Sequence, residues 1–226
     1  MDLELKNKVA IVGGASKGLG RACAEVLAEE GMKVVMCSRT QADLDQAADA
    51  IRAKTKADIL TFAGDLEKNE VIQKLVAAAA AKFGRIDVLI SNSGGPPLAK
   101  SIDATEEQWA VAVQRSLFFF ARMAREVLPH MRAQKSGRII NILASTIYQP
   151  IPNLALSGAT RMGVVAYAKT HDLVASRKKS CGHLRTEHNK RFMARVKEMN
   201  RFKFKGHGDP YGWATIDDSL DELAGA

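Results

Sequence analysis

Short apolar runs alternate along the chain with longer segments in which apolar residues recur at helical spacing. The runs are about five residues long, as in buried strands, and the segments between them are long enough for helices. This alternation is typical of units of strand, helix and strand around a parallel sheet, so it predicts an α/β fold. The predicted strands are Val9–Gly13, Lys33–Cys37, Ile59–Ala63, Val88–Ser91 and Arg138–Leu143, and the predicted helices cover about 18–30, 41–55, 68–82 and 105–135 and begin again near Leu154.

The overall composition fits one globular domain with a sizeable core. The 226 residues are 46% apolar and 26% charged, and the formal net charge of +8 comes from scattered Lys and Arg rather than from a basic tail. We therefore expect no nucleic-acid binding. The N-terminal apolar run is only Val9–Val12, and no segment approaches the roughly 18 unbroken apolar residues of a membrane span. We expect a cytoplasmic protein without a signal peptide or a membrane partner.

The first predicted strand runs directly into the glycine-rich stretch GGASKGLG, residues 13–20. Gly14, Gly18 and Gly20 have the spacing G-x-x-x-G-x-G and precede the first predicted helix. Glycines at such a place let the backbone turn tightly and approach a pyrophosphate, while the free N–H groups at the helix start face the anion. The stretch therefore predicts a dinucleotide site, although glycine-rich turns also arise by chance.

Further motifs follow in an order that resembles the short-chain dehydrogenase/reductase family, over about residues 5–170. Asp65 in GDL matches the residue that contacts the adenine ring in that family. SNSGG is similar to the family's Asn-Asn-Ala-Gly motif and retains Asn92 and Gly94, and SGRIINI resembles the strand that leads to the catalytic serine. The resemblance implies a doubly wound, Rossmann-type parallel sheet with helices on both faces. It also implies an oxidoreductase that acts on a small-molecule carbonyl or alcohol.

The end of the second strand bears on the choice of dinucleotide. NAD-preferring sites commonly place an acid there to hold the ribose 2′-hydroxyl, whereas a 2′-phosphate matches a guanidinium and repels a carboxylate. Here the strand ends in Arg39 without an acid, and Lys17 lies in the glycine turn. Both charges are alternatively ordinary surface charges, but the pattern favours NADP(H) over NAD(H). The predicted cofactor-binding residues are Gly14, Ser16, Lys17, Gly18, Leu19, Gly20, Arg39, Asp65, Leu66, Asn92, Gly94 and Arg161.

The resemblance also assigns four catalytic positions, and none of them carries the family's residue type. The family uses an Asn, a Ser, a Tyr and a Lys four residues after the Tyr. The matching positions here carry Ser116, Ala144, Ser157 and Arg161. An aliphatic hydroxyl does not ionise as readily as a phenol of pKa about 10, and a guanidinium stays charged and cannot shuttle a proton. The family's mechanism therefore does not transfer intact.

Ser157 and Arg161 nevertheless form a specific replacement, because residues four apart share one helical face. The surrounding sequence resembles a divergent branch of the family with Ser-x-x-x-Arg in place of Tyr-x-x-x-Lys, although Ala144 departs even from that branch. Ser145 and Tyr148 are further candidates. Ser145 is alternatively a turn serine, and Tyr148 is alternatively an aromatic packed on a proline-rich turn. The predicted catalytic residues are Ser157, Arg161, Ser145 and Tyr148.

The resemblance weakens after Lys169. We expect residues 1–170 to form the NADP(H)-binding Rossmann-like region and residues 171–226 an atypical C-terminal segment of the same domain, without the family's sixth and seventh strands. Their loss would leave the fifth strand as an exposed edge, so a homo-oligomer, either a dimer or a tetramer, is expected. The basic and aromatic stretch Lys190–Lys205 is interpreted as an amphipathic helix rather than as a nucleic-acid site.

The three cysteines are Cys23, Cys37 and Cys181, which have neither the number nor the spacing of a disulfide framework or a zinc site. Each fits a small core residue in a reducing compartment. Cys181 lies near His183 and His188, but a fourth ligand at suitable spacing is missing, so we expect no metal.

Two functions fit the sequence. The first is an NAD(P)(H)-dependent oxidoreductase that interconverts a carbonyl and a secondary alcohol by hydride transfer. The alternative is a catalytically impaired NADP(H)-binding protein that acts as a partner or sensor, or a truncated remnant of a longer reductase. The replaced catalytic residues and the atypical C-terminus are what separate the two.

Overall fold

The computed structural model describes the backbone of residues 3–175 and the side chains of residues 3–170. Several predictions fall outside these residues, namely the missing sixth and seventh strands, the stretch Lys190–Lys205, and Cys181, His183 and His188.

Strands and helices alternate from the start of the described chain. The strands are β1 (Val9–Gly13), β2 (Lys33–Ser38), β3 (Ile59–Ala63), β4 (Val88–Ser91) and β5 (Arg138–Asn141). The helices are α1 (Gly18–Glu29), α2 (Gln41–Thr55), α3 (Asn69–Phe83), α4 (Glu106–Val113), α5 (Phe119–Ala133) and α6 (Ala155–Ala175), with a π-helical turn at Gln114–Phe118 and a 3-10 turn at Ser145–Ile147.

The five strands form one parallel sheet in the order β3-β2-β1-β4-β5. β1 is the central strand and all of its residues are buried. Its Ala10 pairs with Val34 of β2 on one side and with Val88 of β4 on the other. The chain adds strands first to one side of β1 and then to the other, and right-handed crossovers with that order put helices on both faces. The prediction of a doubly wound α/β fold is confirmed.

Three predicted elements have different bounds in the structure, and the smallest difference is at β2, which ends at Ser38 rather than at Cys37. The long helix predicted over 105–135 is interrupted by the π-helical turn at Gln114–Phe118, which holds one residue more than an α-helical turn. The fifth strand was predicted to reach Leu143 but ends at Asn141. It ends there because its partner β4 ends at Ser91, which pairs with Asn141.

The chain comprises two compact units. The first contains Met1–Gly94 and Arg122–Asn141, and so holds the sheet. Of the described residues, the second contains Gly95–Ala121 and residues 142–175, and within it α6 packs against α4, the π-helical turn and the 3-10 turn. The predicted boundary after residue 170 is a different division of the chain and stays a prediction.

A buried carboxylate joins the starts of the central strands. Asp87, which precedes β4, is 3% exposed, and its Oδ2 accepts hydrogen bonds from the Val9 amide at 2.9 Å and from Arg85 Nε at 2.8 Å. Arg85 Nη2 donates to Asp87 Oδ1 at 2.6 Å, which completes a two-point pair. The backbone of Asp87 also bonds to Val9 and to Arg138. One side chain and its backbone thus align β1, β4 and β5.

The described cysteines, Cys23 and Cys37, are buried core residues, as expected from the sequence. Burial raises the pKa of both thiols to about 12, so neither is a thiolate near neutral pH.

In the described part of the chain, no group of three or more His, Cys, Asp and Glu side chains is placed to hold a metal ion. Over the same residues, every helix is too short or too polar to span a bilayer.

Replacing Asp87 with Ala should lower the free energy of unfolding by about 3 kcal/mol, because Arg85 and the Val9 amide both lose a partner at a buried site. The matched control is Asp58→Ala, which removes an Asp–Lys82 pair whose carboxylate is 51% exposed and should cost less than about 1 kcal/mol. Urea unfolding followed by circular dichroism measures both changes. Equal losses would show that the Asp87 contacts do not carry the alignment of the strands.

Candidate active site

The glycine turn after β1 is shaped by close backbone approach. A Cβ on Gly20 would collide with the carbonyl of Gly14, so α1 starts against the end of β1 only with glycine at that position. Gly18 has a φ of +56°, which favours glycine, and a Cβ there would meet no described atom within 4 Å. The turn is therefore closely packed where Gly20 meets Gly14, and it is open at Gly18.

The start of α1 offers unpaired backbone donors beside that opening. The helix begins at Gly18, its N-cap residue is Lys17, and no described side chain caps it. The first turn of α1 contains no acid. Free N–H groups and the helix dipole at such an end favour an anion. Ser16 and Leu19 flank the opening and are partly buried.

Asn92 supports the turn from the end of β4. Its Nδ2 donates to the Gly13 carbonyl at 3.2 Å, and a Cβ on Gly14 would lie 2.7 Å from the same nitrogen. Gly94, two residues further on, is exposed. The structure thus brings the predicted residues of the turn and Asn92 together, with Asn92 holding the turn in place.

The two predicted phosphate-binding cations differ in their surroundings. Lys17 Nζ forms an ion pair with Asp43 Oδ2 at 3.2 Å, and the Lys17 side chain is 78% exposed. Arg39 follows β2 and is exposed, and none of residues 3–170 forms a hydrogen bond or an ion pair with its guanidinium. Arg39 is therefore the cation that is available to a phosphate.

Asp65 and Leu66 form the turn after β3. Asp65 Oδ1 accepts a hydrogen bond from the Glu67 amide at 3.1 Å, and its carbonyl accepts one from the Lys68 amide. The Leu66 side chain reaches to within 3.5 Å of where a Cβ on Gly13 would lie. Both residues therefore order the edge of the sheet beside the glycine turn.

Ser157 and Arg161 lie one turn apart on α6, in the second unit, and both are buried. Arg161 Nη1 donates to the Ile142 carbonyl at 3.2 Å, while its Nε is buried without a partner among the described residues. Desolvation by burial lowers the pKa of the Arg161 guanidinium from its ordinary value. A guanidinium still stays charged near neutral pH, so Arg161 is a buried cation.

The other two catalytic candidates lie on the 3-10 turn that packs against α6. Ser145 begins this turn, and its carbonyl accepts hydrogen bonds from the amides of Tyr148 and Gln149. Tyr148 is 52% exposed, so its phenol is not held against α6. The phenol of Tyr167 donates to the Ala121 carbonyl at 3.4 Å, which leaves it a less suitable acid.

Two buried hydroxyls near α6 were not among the predicted site residues. Ser116 Oγ, on the π-helical turn, and Thr146 Oγ1, on the 3-10 turn, have no partner among the described residues. The resemblance places Ser116 at the position of the family's Asn and gives it no role in the site. Thr146 directly follows Ser145 and carries no signal in the sequence, because its burial depends on α6, which begins nine residues later.

A parallel sheet in the order β3-β2-β1-β4-β5, with a glycine turn and an open helix start after the central strand, defines a nucleotide-binding protein of the doubly wound class. Residues 8–179 match the sequence model of the family described as short chain dehydrogenase, and the chain belongs to this family. The resemblance inferred from the motifs is confirmed at this level. The roles assigned to individual residues stay predictions.

The chain is similar to oxidoreductases of bacterial origin. It is 34% identical to an uncharacterized oxidoreductase of Staphylococcus saprophyticus over 163 residues, which are 72% of this chain and 69% of that protein. The L-sorbose reductase of Gluconobacter frateurii, solved with NADPH and L-sorbose, is 28% identical with a TM-score of 0.75, over 78% of this chain and 67% of the reductase.

An NAD+-bound xylitol dehydrogenase is 25% identical with a TM-score of 0.71, over 75% of this chain and 65% of that chain. The chain thus spans about two thirds of the length of these relatives.

Replacing Arg161 with Met should lower the free energy of unfolding by no more than about 1 kcal/mol, the value of the hydrogen bond to Ile142. The reason is that the substitution also removes the cost of burying a charge that no described carboxylate compensates. Arg85→Met is the matched control and should cost about 3 kcal/mol, since it leaves the Asp87 carboxylate buried without its ion-pair partner. A loss of similar size for Arg161→Met in urea unfolding would contradict the description of Arg161 as an uncompensated cation.

Proposed function

We propose that this protein is an NADP(H)-dependent oxidoreductase that interconverts a carbonyl and a secondary alcohol. The observation that carries the proposal is the uncapped start of α1, which is open at Gly18 and has no acid in its first turn. Backbone donors arranged in this way suit the pyrophosphate of a dinucleotide. The L-sorbose reductase solved with NADPH and the NAD+-bound xylitol dehydrogenase support a nicotinamide cofactor here as well.

Arg39 supports NADP(H) rather than NAD(H). Its guanidinium is exposed and unpaired among residues 3–170, at the end of the strand where an NAD site commonly has an acid. A guanidinium binds a phosphate by charge-assisted hydrogen bonds. Lys17 is the weaker candidate because Asp43 competes for its charge. Asp65 and Leu66 are proposed for the adenine end of the cofactor. Arg161, which the sequence predicts as a ribose contact, is proposed for the substrate instead.

The bound nicotinamide would supply or accept the hydride, so the chain must supply the electrostatics and a route for the proton. Arg161 is a permanent cation and would stabilise negative charge that develops on the substrate oxygen. Ser157 is buried one turn away and would orient that oxygen or a water molecule. Ser145 and Tyr148 are the remaining candidates for the proton donor, and Tyr148 is the only one with a phenol.

The second candidate is a catalytically impaired NADP(H)-binding protein that acts as a partner or sensor. The specific observation in its favour is that the family's Tyr and Ser positions carry Ser157 and Ala144, while the described phenols are exposed or engaged elsewhere. Both candidate functions require the glycine turn to bind NADP(H). They differ only in whether the protein then catalyses hydride transfer.

Homo-oligomerisation is also proposed, with β5 as the supporting observation. Among the described strands, β5 pairs with β4 alone and so forms an edge of the sheet. Proteins protect such edges by covering or pairing them.

NADPH titration, followed by its fluorescence, tests the proposal. Binding is expected for the native chain, and Gly18→Ala should weaken it about tenfold or more because the new Cβ would occupy the open face of the turn. Gly84→Ala is the matched control, since Gly84 also has a positive φ and an unobstructed Cβ position but lies at the end of α3. Gly84→Ala should introduce the same backbone strain as Gly18→Ala, because both residues have a positive φ, and it should leave NADPH binding unchanged.

The same samples with a panel of carbonyl compounds separate the two candidates. NADPH oxidation that depends on a carbonyl supports the oxidoreductase. Binding without oxidation supports the impaired protein, and the absence of NADPH binding contradicts both.

Replacing Arg39 with Asp should weaken NADPH binding by about 10- to 100-fold and leave NADH binding nearly unchanged, because only the 2′-phosphate loses a charge-assisted partner. Arg132→Asp makes the same charge change at another exposed residue, on α5. Dissociation constants for both dinucleotides measure the effect. Equal weakening of NADPH and NADH would contradict the assignment of Arg39.

A further inference from the structure

The guanidinium of Arg161 has one edge without a partner among the residues whose side chains are described. Its single described hydrogen bond is the one from Nη1 to the Ile142 carbonyl, at 3.2 Å. Neither Nε nor Nη2 has an acceptor among residues 3–170, and Nε is fully buried. The residue as a whole is 7% exposed, and none of the described carboxylates forms an ion pair with it.

Another arginine of this chain shows what such an edge binds. Arg85 uses Nε and Nη2 to hold the two oxygens of Asp87, at 2.8 and 2.6 Å. The Nε and Nη2 hydrogens of a guanidinium are parallel and match the spacing of carboxylate oxygens. Arg161 presents the same two donors, and none of residues 3–170 supplies a carboxylate to them.

The elements that pack on α6 add unpartnered hydroxyls. Ser116 on the π-helical turn and Thr146 on the 3-10 turn are both more than nine-tenths buried, and neither side-chain oxygen has a described partner. A Cβ on Gly158 would lie 3.3 Å from the Thr146 carbonyl, so the 3-10 turn lies against α6 within one turn of Arg161. Buried donors without acceptors are uncommon in a finished core and indicate a place for a ligand.

We propose that the Nε and Nη2 edge of Arg161 binds a carboxylate of the substrate, so that the substrate is an oxo acid in the reductive direction and a hydroxy acid in the oxidative one. This inference rests on the proposed oxidoreductase function and names its substrate class. A carboxylate compensates the buried cation, which a neutral ketone or a sugar does not. Ser116 and Thr146 are proposed as further donors to the same anionic group.

Acid and ester pairs test the proposal. The probes are acetoacetate, levulinate and phenylglyoxylate with their methyl esters, and binding is measured by calorimetry without NADPH as well as by kcat/KM with it. We expect at least one acid to be preferred over its ester by tenfold or more. Arg161→Gln should abolish that preference, and Arg161→Lys should keep part of it because the charge remains while the two-point geometry is lost.

Arg52→Lys is the control variant, since Arg52 also donates to a backbone carbonyl, that of Ile59 at 2.8 Å, but lies on α2 in the first unit. It should leave the acid preference unchanged. Equal binding of every acid and its ester would overturn the proposal, as would tighter binding of dihydroxyacetone phosphate than of any acid in the panel.

The two proposals fail in different ways. NADPH binding without any acid preference contradicts only the carboxylate site. Loss of NADPH binding contradicts the proposed oxidoreductase, and the calorimetric comparison of acids with esters then still decides whether Arg161 binds a carboxylate.

Discussion

The first unit depends on how closely the start of α1 approaches the end of β1. A Cβ on Gly20 would collide with the Gly14 carbonyl, and Asn92 at the end of β4 fixes the same turn through the Gly13 carbonyl. The backbone N–H groups at the start of α1 are therefore held at the carboxyl edge of the two central strands. Ligands of open parallel sheets bind at this edge, where the strand order reverses. The proposed cofactor site depends on this arrangement. Arg39 and the turn at Asp65 are proposed cofactor contacts because they follow β2 and β3 at the same carboxyl edge of the sheet.

The second unit contains a buried cation, whereas the predicted phosphate-binding cations of the first unit are exposed. Arg161 is a permanent cation in a buried position, and its one hydrogen bond among the described residues goes to a backbone carbonyl rather than to a carboxylate. A proton shuttle needs a group that titrates near neutral pH, which Arg161 is not, whereas a fixed cation suits the binding of negative charge. On the proposed assignment, Ser157 and Arg161 supply electrostatic stabilisation at the two positions where the family has the proton-transferring Tyr and its Lys.

Most strand boundaries were predicted correctly from the sequence because residues next to each strand determine where it ends. β1, β3 and β4 have their predicted bounds, since each apolar run is closed by Gly, Asp or Asn. The end of β5 was missed because it depends on the length of β4, about fifty residues earlier. The π-helical turn was missed because the apolar spacing over 105–135 was interpreted as one continuous helix. The burial of Arg161 and the Thr146 hydroxyl without a described partner also escaped prediction, since both depend on how α6 packs against neighbouring elements. The glycine turn was predictable because its geometry is local.

The π-helical turn at Gln114–Phe118 has a consequence for how this chain tolerates change in length. Deleting one residue from it would convert α4 and α5 into a continuous α-helix and rotate everything after the turn by about 100°. Phe119 and Phe120, which are buried and contact each other edge to face at 5.0 Å, would leave their places. Point substitutions at exposed Phe118 carry no such penalty. Among related chains, the number of residues between α4 and α5 should therefore vary less than their identity.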